Sequence, residues 1–285
     1  EIDLMALWVE EMVIESNLVL DILFLAYYEN FCICNGQQWQ NLCELLKGIV
    51  SGSFNIGKLA ASSEAKNSFY HAKVQLLLIL IETLDLENLL RMVHDDIPFR
   101  DDSIFLLKDI QAMDGLVSSL IPFEAVEVGP LILAWAVFVY LLLSLPDRHD
   151  YHVLMEIDHM GYVQNTIVCA PFGYLIDVLH SAFLVDSDGP ASGYLSVLKT
   201  FISAFITSFE VGHQSETLKM ITDILCKIYR GEESLCMQFW DRNCFIDQPI
   251  RSLLYSIAND FPINIAELVR LLSALCEGSW PAECV

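Results

Sequence analysis

The sequence predicts an all-α fold, and three observations lead to that prediction. Apolar residues recur at three- and four-residue spacing along almost the whole chain, whereas the alternating runs that indicate strands are scarce. Breaks between the apolar segments carry residues that end helices, as in Asn35-Gly36, Leu145-Pro146 and Val211-Gly212. Short turns join successive helices, and short turns favour antiparallel pairs stacked in a row. We therefore predict an irregular α-solenoid of stacked antiparallel helix pairs, HEAT/armadillo-like in general form.

Twelve helices are predicted, each over a segment in which apolar residues keep helical spacing between two breaks. In chain order they are Ile2–Phe31, Gln38–Val50, Asn67–Val93, Ile104–Leu120, Pro130–Leu145, Tyr151–Val168, Phe172–Leu184, Ala191–Phe209, Glu216–Arg230, Glu233–Trp240, Pro249–Asn259 and Ile265–Glu277. The two longest of the early helices, Ile2–Phe31 and Asn67–Val93, are each long enough to be divided into two. Loops are expected at Ser51–Ser68 and Val185–Gly193, and no shift in composition marks a domain boundary. We therefore expect residues 1–285 to form a single helical segment.

The helices differ in how much of their surface is apolar. In Glu216–Arg230 one narrow stripe, from Leu218 to Ile228, is apolar. Most other helices are apolar over a wider arc, which predicts packing by neighbours on two sides. Trp39-Gln40-Asn41-Leu42 begins like a tetratricopeptide signature, but Cys43 replaces the expected Gly and nothing repeats. An array without a fixed period is therefore expected.

The last helix is marked at both ends. Asn264 can serve as its N-cap, with Glu267 completing a capping box. Gly278 is expected to end the helix, and Pro281 to prevent its resumption. The apolar face between them consists of Leu268, Leu271, Leu272 and Leu275.

Parts of the sequence also resemble a known family. The segment PIRSLLYSIANDFP, followed by ELVRLLSALCEGSWPAECV, resembles sequence in the amino-terminal third of a very large scaffold nucleoporin. The run GPLILAWAVF, Gly129–Phe138, is similar to an apolar helix further upstream in the same family. The family is that of nucleoporin one-eight-eight, an α-solenoid of the inner ring of the nuclear pore.

This resemblance implies a structural scaffold at the nuclear envelope that supports protein import and RNA export. Members of the family are held together by short linear motifs of flexible linker nucleoporins, which lie in solenoid grooves. The resemblance names neither the groove residues of this chain nor the linker that would bind it.

The charge of the chain restricts its possible partners. Its 15 basic and 38 acidic residues give a net charge of −23, and no Lys or Arg precedes Lys47. Proteins bind phosphate backbones by neutralising them with Lys and Arg, so direct nucleic-acid binding is not expected. Anionic membrane surfaces are disfavoured for the same reason. Basic peptide segments are the electrostatic complement of this chain, although the acidic residues also serve to keep an apolar helical array in solution.

One segment is apolar enough to raise the question of a membrane span. The mean hydropathy of the chain is +0.46, and its longest apolar run is Leu131–Leu145. That run of about fifteen residues is shorter than the roughly 20 that cross a bilayer as a helix. No cluster of positive charge flanks it. We therefore interpret it as a buried helix and expect no membrane span.

The cysteine content indicates reduced thiols. The number of cysteines is nine, an odd number, and most lie within apolar helical patterns. Such use is typical of the cytosol or the nucleus. The cysteines are Cys32, Cys34, Cys43, Cys169, Cys226, Cys236, Cys244, Cys276 and Cys284. Because the chain lacks an initiator Met and a natural tail, we expect a fragment of a longer protein.

One motif raises the possibility of a nucleotide-binding enzyme. Gly52–Lys58 fits the phosphate-cradling pattern GxxxxGK, but Leu59 stands where magnesium binding requires Ser or Thr. The motif should follow a strand, whereas Leu42–Val50 has helical spacing. Glu82 is the candidate for the acidic residue that would bind the metal of such a site, but it lies in a segment that also has helical spacing. A loop between helices is therefore expected, with no nucleotide bound.

Three other groups of residues have side chains of the types that bind metals or act as acids and bases. His149, His152, Glu156 and His159 share a helix face, but ten residues of helix cover about 15 Å, too far for one ion. Cys32-x-Cys34 lacks a second cysteine pair at zinc spacing. Asp95-Asp96 and Asp101-Asp102 lie in a Pro-interrupted loop, where solvation or capping at Ser103 explains them. We expect no metal, no cofactor and no catalytic site.

Aromatic residues at helical spacing are expected to lie mostly in the core, with a minority free to line a peptide groove. They are Phe123, Trp135, Phe138, Phe201, Phe205, Phe209 and Trp240. The sequence thus predicts a non-catalytic scaffold. A karyopherin-like transport receptor and a nucleotide-binding enzyme using Gly52–Lys58 are the alternatives.

Overall fold

The computed structural model describes residues 2–52, 62–98, 107–146, 154–166, 170–185, 190–211 and 216–285. Every secondary-structure element in these ranges is helical, which confirms the all-α prediction. The helices are α1 (Ile2–Tyr28), α2 (Gly36–Val50), α3 (Ser63–Glu82), α4 (Leu86–His94), α5 (Leu107–Ser118), α6 (Gly129–Leu143), α7 (His159–Asn165), α8 (Pro171–His180), α9 (Ala182–Val185), α10 (Ala191–Ser208), α11 (Glu216–Tyr229), α12 (Glu233–Trp240), α13 (Gln248–Asn259), α14 (Ile265–Ala274) and α15 (Ser279–Cys284). Two 3₁₀ turns, Ile121–Phe123 and Val126–Val128, lead into α6.

Helix α2 begins at a complete capping box. The Asn35 side chain accepts a hydrogen bond from the Gln38 N–H at 2.9 Å, and the Gln38 side chain accepts one from the Asn35 N–H at 3.0 Å. Between them, Gly36 lets α5 approach closely, because a Cβ there would lie 2.5 Å from the side chain of Asp109. The helix therefore begins two residues before the predicted Gln38.

The predicted helix Asn67–Val93 is divided, whereas the long first helix is continuous. Helix α3 ends at Glu82, and Asp85 takes a left-handed φ of +52° before α4 begins. Asp tolerates that region better than most residues. The division turns the chain and places the end of α3 beside the start of α4.

The C-terminal helix signals are confirmed only in part. Asn264 precedes α14 but makes no side-chain capping bond to it, since its ψ of 37° is far from the extended backbone of an N-cap. The predicted capping box is therefore wrong. The predicted apolar face is confirmed: Leu271 and Leu275 are buried, while Leu268 and Leu272 pack against the core.

The proline near the C-terminus does not prevent helix formation. Gly278 turns the chain with a φ of +98°, and the short helix α15 follows with Pro281 in its first turn. First-turn residues need no N–H partner within the helix, so proline is tolerated there. The expectation that Pro281 blocks a further helix is therefore wrong.

Helix α6 lies at the centre of the fold. It packs against α3, α4, α5, α7, α8 and α10, and its residues from Gly129 to Val139 are all buried. The Trp135 side chain still finds a polar partner, because its indole N–H donates to Asp114 Oδ1 at 2.9 Å. The segment Val126–Leu143 is long and apolar enough to cross a membrane, with a hydropathy of 2.2, but 78% of it is buried inside the protein. Its apolar side chains thus contact other helices.

Helix α10 is buried along most of its length and carries a charge into the core. Lys199 Nζ lies 3.3 Å from Asp247 Oδ2, and both side chains are almost fully buried. The Tyr229 hydroxyl donates to Asp247 Oδ1 at 2.7 Å, the Cys244 thiol donates to Oδ2 at 3.1 Å, and Lys199 also donates to Gln238 at 3.0 Å. This network joins α10, α11, α12 and the residues just before α13.

The first helix packs against residues far along the chain. The Tyr194 hydroxyl of α10 donates to Asp21 Oδ1 of α1 at 2.7 Å, across 173 residues of sequence. The ring centroids of Phe24 and Tyr194 are 4.1 Å apart, and Gly193 leaves room for the Phe24 ring. Helices distant in the chain therefore pack together, in addition to those that follow one another.

Candidate functional site

The candidate site is a face of α1 that no other described part of the chain covers. On its covered side, which faces α3 and Tyr194 of α10, α1 buries Val9, Val13 and Phe24. Nine large apolar side chains lie on the opposite arc of the helix with exposed fractions between 39% and 73%. They are Leu4, Leu7, Trp8, Met12, Ile14, Leu18, Val19, Ile22 and Leu25. Glu11 and Glu15 lie between them, and such a largely apolar exposed face is typical of an interaction surface.

The exposed side chains form two adjacent stripes at helical spacing. One stripe consists of Leu4, Trp8, Met12, Val19 and Ile22, and the other of Leu7, Ile14, Leu18 and Leu25. Together they cover nearly half of the helix circumference. This is the face that a helix partner would contact through residues spaced three and four apart.

Beside the first stripe, α1, α2 and α3 enclose an apolar groove of about 470 Å³. On the α1 side it is lined by Met12 and Val19, and by Glu15 at its edge. The other walls consist of Leu45 and Ile49 from α2 and of Phe69, Ala72 and Leu76 from α3. We call this space, together with the two exposed stripes, the α1 groove.

Polar contacts on the covered side hold α1 in place. The Asn17 side chain donates to the Ser68 carbonyl at 3.0 Å, and the Gln75 side chain donates to Asp21 Oδ1 at 2.7 Å and to the Asn17 carbonyl at 3.1 Å. Near the start of α3, the Ser62 hydroxyl donates to Glu10 Oε2 at 3.0 Å. Because the polar contacts lie on the covered side, the orientation of the exposed face is fixed.

The surroundings of the groove are acidic. Glu15 lies in its wall and Glu11 one turn earlier on the same face, and neither has an ion-pair partner among the described residues. The bases on α2 and α3 are fewer: Lys47 donates to the Ser119 hydroxyl at 2.9 Å, Lys73 pairs with Glu127 at 3.2 Å, and Lys66 is exposed near the start of α3. An occupant lying along α1 would therefore meet the negative charges of Glu11 and Glu15.

The candidate nucleotide loop is mostly outside the described residues. Gly52 is described, whereas Lys58 and Leu59 are not. The helix α2 precedes Gly52, as the helical spacing predicted, where a phosphate loop would need a strand. Glu82 likewise ends a helix. The two parts of the nucleotide hypothesis therefore lack the strands that the motif requires.

The predicted histidine face is not a single helix face. His149 and His152 lie outside the described residues. Glu156 is in a turn, and His159 is the first residue of α7, so the predicted helix Tyr151–Val168 is wrong in this part. The cause is Asp158, whose side chain caps α7 by accepting from the Gly161 N–H at 2.8 Å. Glu156 and His159 therefore do not share a helix.

The structure brings Cys32, Cys34 and Glu82 together. With Tyr27 and Asp85, among others, they line a cavity of about 170 Å³ at the corner between α3 and α4. Burial, aided by the charge of Asp85, raises the pKa of Glu82 to about 7. Burial raises the pKa of Asp85 to about 6 and that of the Cys34 thiol to about 11. A thiol with so high a pKa stays protonated at neutral pH, which makes it a poor nucleophile and metal ligand.

Within the described ranges, no group of three or more His, Cys, Asp or Glu side chains is arranged to hold a metal ion. Eight of the cysteines are described and all are free thiols, while Cys169 lies outside those ranges. Asp95 follows the end of α4 and accepts from His94 at 2.7 Å, and Asp96 has a φ of +53°. Asp101 and Asp102 lie outside the described residues.

Most of the aromatic residues lie in the core, as predicted. Trp135, Phe138, Phe201 and Phe205 are buried, and Phe209 and Trp240 are partly buried. Phe123 is 40% exposed, in the turn before α6. Phe205 and Phe209 also line a second open groove of about 470 Å³ beside α8. Residues 167–169 and 212–215, which follow its walls in the chain, are outside the described residues.

The sequence did not identify the α1 groove. Its signal was a helix that is apolar all round, in a stretch of chain without Lys or Arg before position 47. That pattern predicts coverage on several sides but not which side lacks a neighbour. No protein-family model matches the chain, and no curated protein matches it either. The resemblance to nucleoporin one-eight-eight therefore stays a prediction.

Proposed function

We propose that the chain is a non-catalytic scaffold segment, an irregular α-solenoid of the nuclear pore inner ring in the family of nucleoporin one-eight-eight. The observation that supports a scaffold best is the α1 groove, an apolar helix face held rigidly and left open. Scaffold proteins bind other chains through such exposed faces. The assignment to the pore comes from the resemblance of Gly129–Phe138 and of the segment from Pro249 to Val285.

The order of packing at the C-terminal end supports the solenoid part of the proposal. Helix α10 packs against α11 and α13, α11 packs against α14, and α13 packs against α14. Each helix thus contacts the next ones along the chain, as in stacked helix pairs. The contact of α1 with α10 makes the array irregular.

Linker segments are the proposed partners. Short linear motifs that lie in grooves of a helical array bind through a few apolar anchors. The acidic balance of this chain favours motifs that carry Lys or Arg. The same acidic balance would suit a karyopherin-like receptor, which binds basic cargo signals and is the second candidate.

The test is affinity purification of the full-length parent protein in mild salt, together with its localisation in cells. We expect inner-ring nucleoporins in the eluate and a stained rim at the nuclear envelope. Recovery of basic cargo and of the nuclear-transport GTPase, without pore components, would replace the scaffold by a transport receptor.

A further inference from the structure

We propose that the α1 groove binds an amphipathic helix whose apolar face is flanked by Lys and Arg. This binding site rests on the proposed scaffold function, because a scaffold works by binding other chains. It adds to that function a site and the chemistry of a partner.

The dimensions of the α1 groove fit a helix. The stripe from Leu4 to Ile22 spans nineteen residues of α1, which is about 27 Å along the helix axis. Met12 and Val19 of this stripe line the apolar groove, and α2 and α3 supply its other walls. A helix of about five turns, lying along α1, would place its apolar residues over this stripe.

The exposed area is larger than a monomer normally leaves open. Nine large apolar side chains on one helix, most of them about half exposed or more, amount to an area on the order of several hundred Å². The largest apolar patch of a typical monomer is about 300–600 Å² and is often functional. The exposed apolar face of α1 is therefore of a size that is typical of a binding surface.

Charge selects among the possible occupants. The first 46 residues contain eight acidic residues and no Lys or Arg, and Glu11 and Glu15 lie on the exposed arc itself. A second copy of this chain docked face to face would bring these carboxylates against their own kind, which costs binding energy. A helix with Lys or Arg beside its apolar face would pair with them instead. Such a partner has complementary shape and complementary charge.

The binding experiment uses the 285-residue chain and a designed, fluorescently labelled peptide. The peptide is an amphipathic helix of about 18 residues with Leu along one face and Lys on both flanks. A counterpart with the same Leu face and Glu in place of every Lys serves as the charge control. We expect the Lys peptide to bind more tightly by about tenfold or more, and its affinity to fall as salt is raised.

Two pairs of variants locate the site. Val19→Asp places a charge in the groove, and Val269→Asp places the same charge on α14, where Val269 is 58% exposed against 62% for Val19. We expect Val19→Asp to weaken binding by about tenfold or more and Val269→Asp to leave it unchanged. Glu11→Lys combined with Glu15→Lys should weaken binding of the Lys peptide. Glu156→Lys combined with Glu210→Lys, which changes the net charge equally at two other exposed acids, should not.

Cross-linking identifies the occupant independently of these variants. A photoreactive residue in place of Ile22, which is 68% exposed, should capture the Lys peptide. The proposal is overturned if the Glu peptide binds equally well, or if Ile22 cross-links to a second copy of the chain. It is also overturned if the cross-link goes to residues 53–61, or if the groove binds neutral lipid vesicles in preference to the peptide. A groove that binds as proposed in a protein that is absent from the nuclear rim would refute the pore assignment alone.

Discussion

Helices α1 and α6 have the same kind of sequence and opposite surroundings. Both carry apolar residues around most of the helix, without the narrow stripe of an ordinary surface helix, although α1 also contains acidic residues such as Glu11 and Glu15. In α6, every residue from Gly129 to Val139 is buried against six other helices. In α1, nine large apolar residues face solvent. The pattern of a helix therefore indicates how many sides it needs to cover, and only the fold says which sides have neighbours.

This difference assigns different roles to the two helices. For α6, the apolar pattern is satisfied inside the chain, so its residues contribute to stability. For α1, the pattern is satisfied within the described part of the chain only on the side that faces α3 and Tyr194 of α10. We infer that the remaining apolar residues of α1 contribute to binding. Substitutions in covered and uncovered helices should therefore differ in what they change.

The largest expected effect is on the buried ion pair of α10. Lys199→Met should lower the free energy of unfolding by about 3–5 kcal/mol, because it leaves Asp247 as a buried charge without its cation. The measurement is denaturant unfolding followed by circular dichroism. Replacing both partners, Lys199→Met with Asp247→Leu, should recover part of the loss.

The control for that prediction is an ion pair at the surface. Lys219 and Glu216 lie 2.9 Å apart on α11, and both side chains are mostly exposed. Lys219→Met should leave the free energy of unfolding almost unchanged, because water screens an exposed ion pair. Equal losses for the two lysines would mean that α10 is not covered in solution, and the contrast between covered and uncovered helices would fail.

The next effect compares α6 and α1 directly with one substitution. Ile132 is 1% exposed in α6, and Ile22 is 68% exposed in α1. Ile132→Ala should cost about 2–5 kcal/mol of unfolding free energy, because it leaves a cavity in the centre of the fold. Ile22→Ala should cost no more than about 0.5 kcal/mol, because water already contacts that side chain.

Unfolding midpoints in urea, with unchanged m-values, measure both changes. A large cost for Ile22→Ala would show that the outer face of α1 is covered within the chain itself. In that case the groove would be part of the core, and the proposed partner would have no place to bind.

Periodicity alone predicted much of this fold. The all-α class and the positions of most helices follow from apolar spacing, as for Leu271 and Leu275 of α14. Spacing does not locate the points at which local chemistry overrides it. Asp85 divides Asn67–Val93, a helix whose length allows a division but whose spacing gives no position for it, whereas Asp158 starts α7 later than predicted, so the prediction was wrong there. Both are short polar residues whose effect depends on backbone conformation.

The candidate site could not be predicted because it depends on long-range packing. Nothing in the local sequence of α1 indicates that α3 covers one side, or that Tyr194 reaches Asp21 across 173 residues. The cavity at the corner of α3 and α4 also depends on long-range packing, because only the fold brings Cys34 and Glu82 together there. Their sequence spacing carries no sign of this contact.

The smallest effect tests the covered end of α1, where Tyr27 and Glu82 line the same cavity. Burial and the charge of Asp85 raise the pKa of Glu82 from 4.5 to about 7. The folded protein therefore binds more protons than the unfolded chain between these pH values. It follows that this group makes stability fall as pH rises from about 4.5 to about 7, with no further loss above that range.

Glu82→Gln removes the ionisation while keeping the shape of the side chain. At pH 8 the variant should be more stable than the parent by about 1–3 kcal/mol, and its stability should fall less between pH 5 and 7. Some decline should remain, because the pKa of Asp85 is also raised, to about 6. Unfolding curves across this pH range measure the effect, with Glu29→Gln as the control, because Glu29 is exposed and directly follows α1. If Glu82→Gln leaves the slope with pH unchanged, water reaches the carboxylate, and this end of α1 is as open as its outer face.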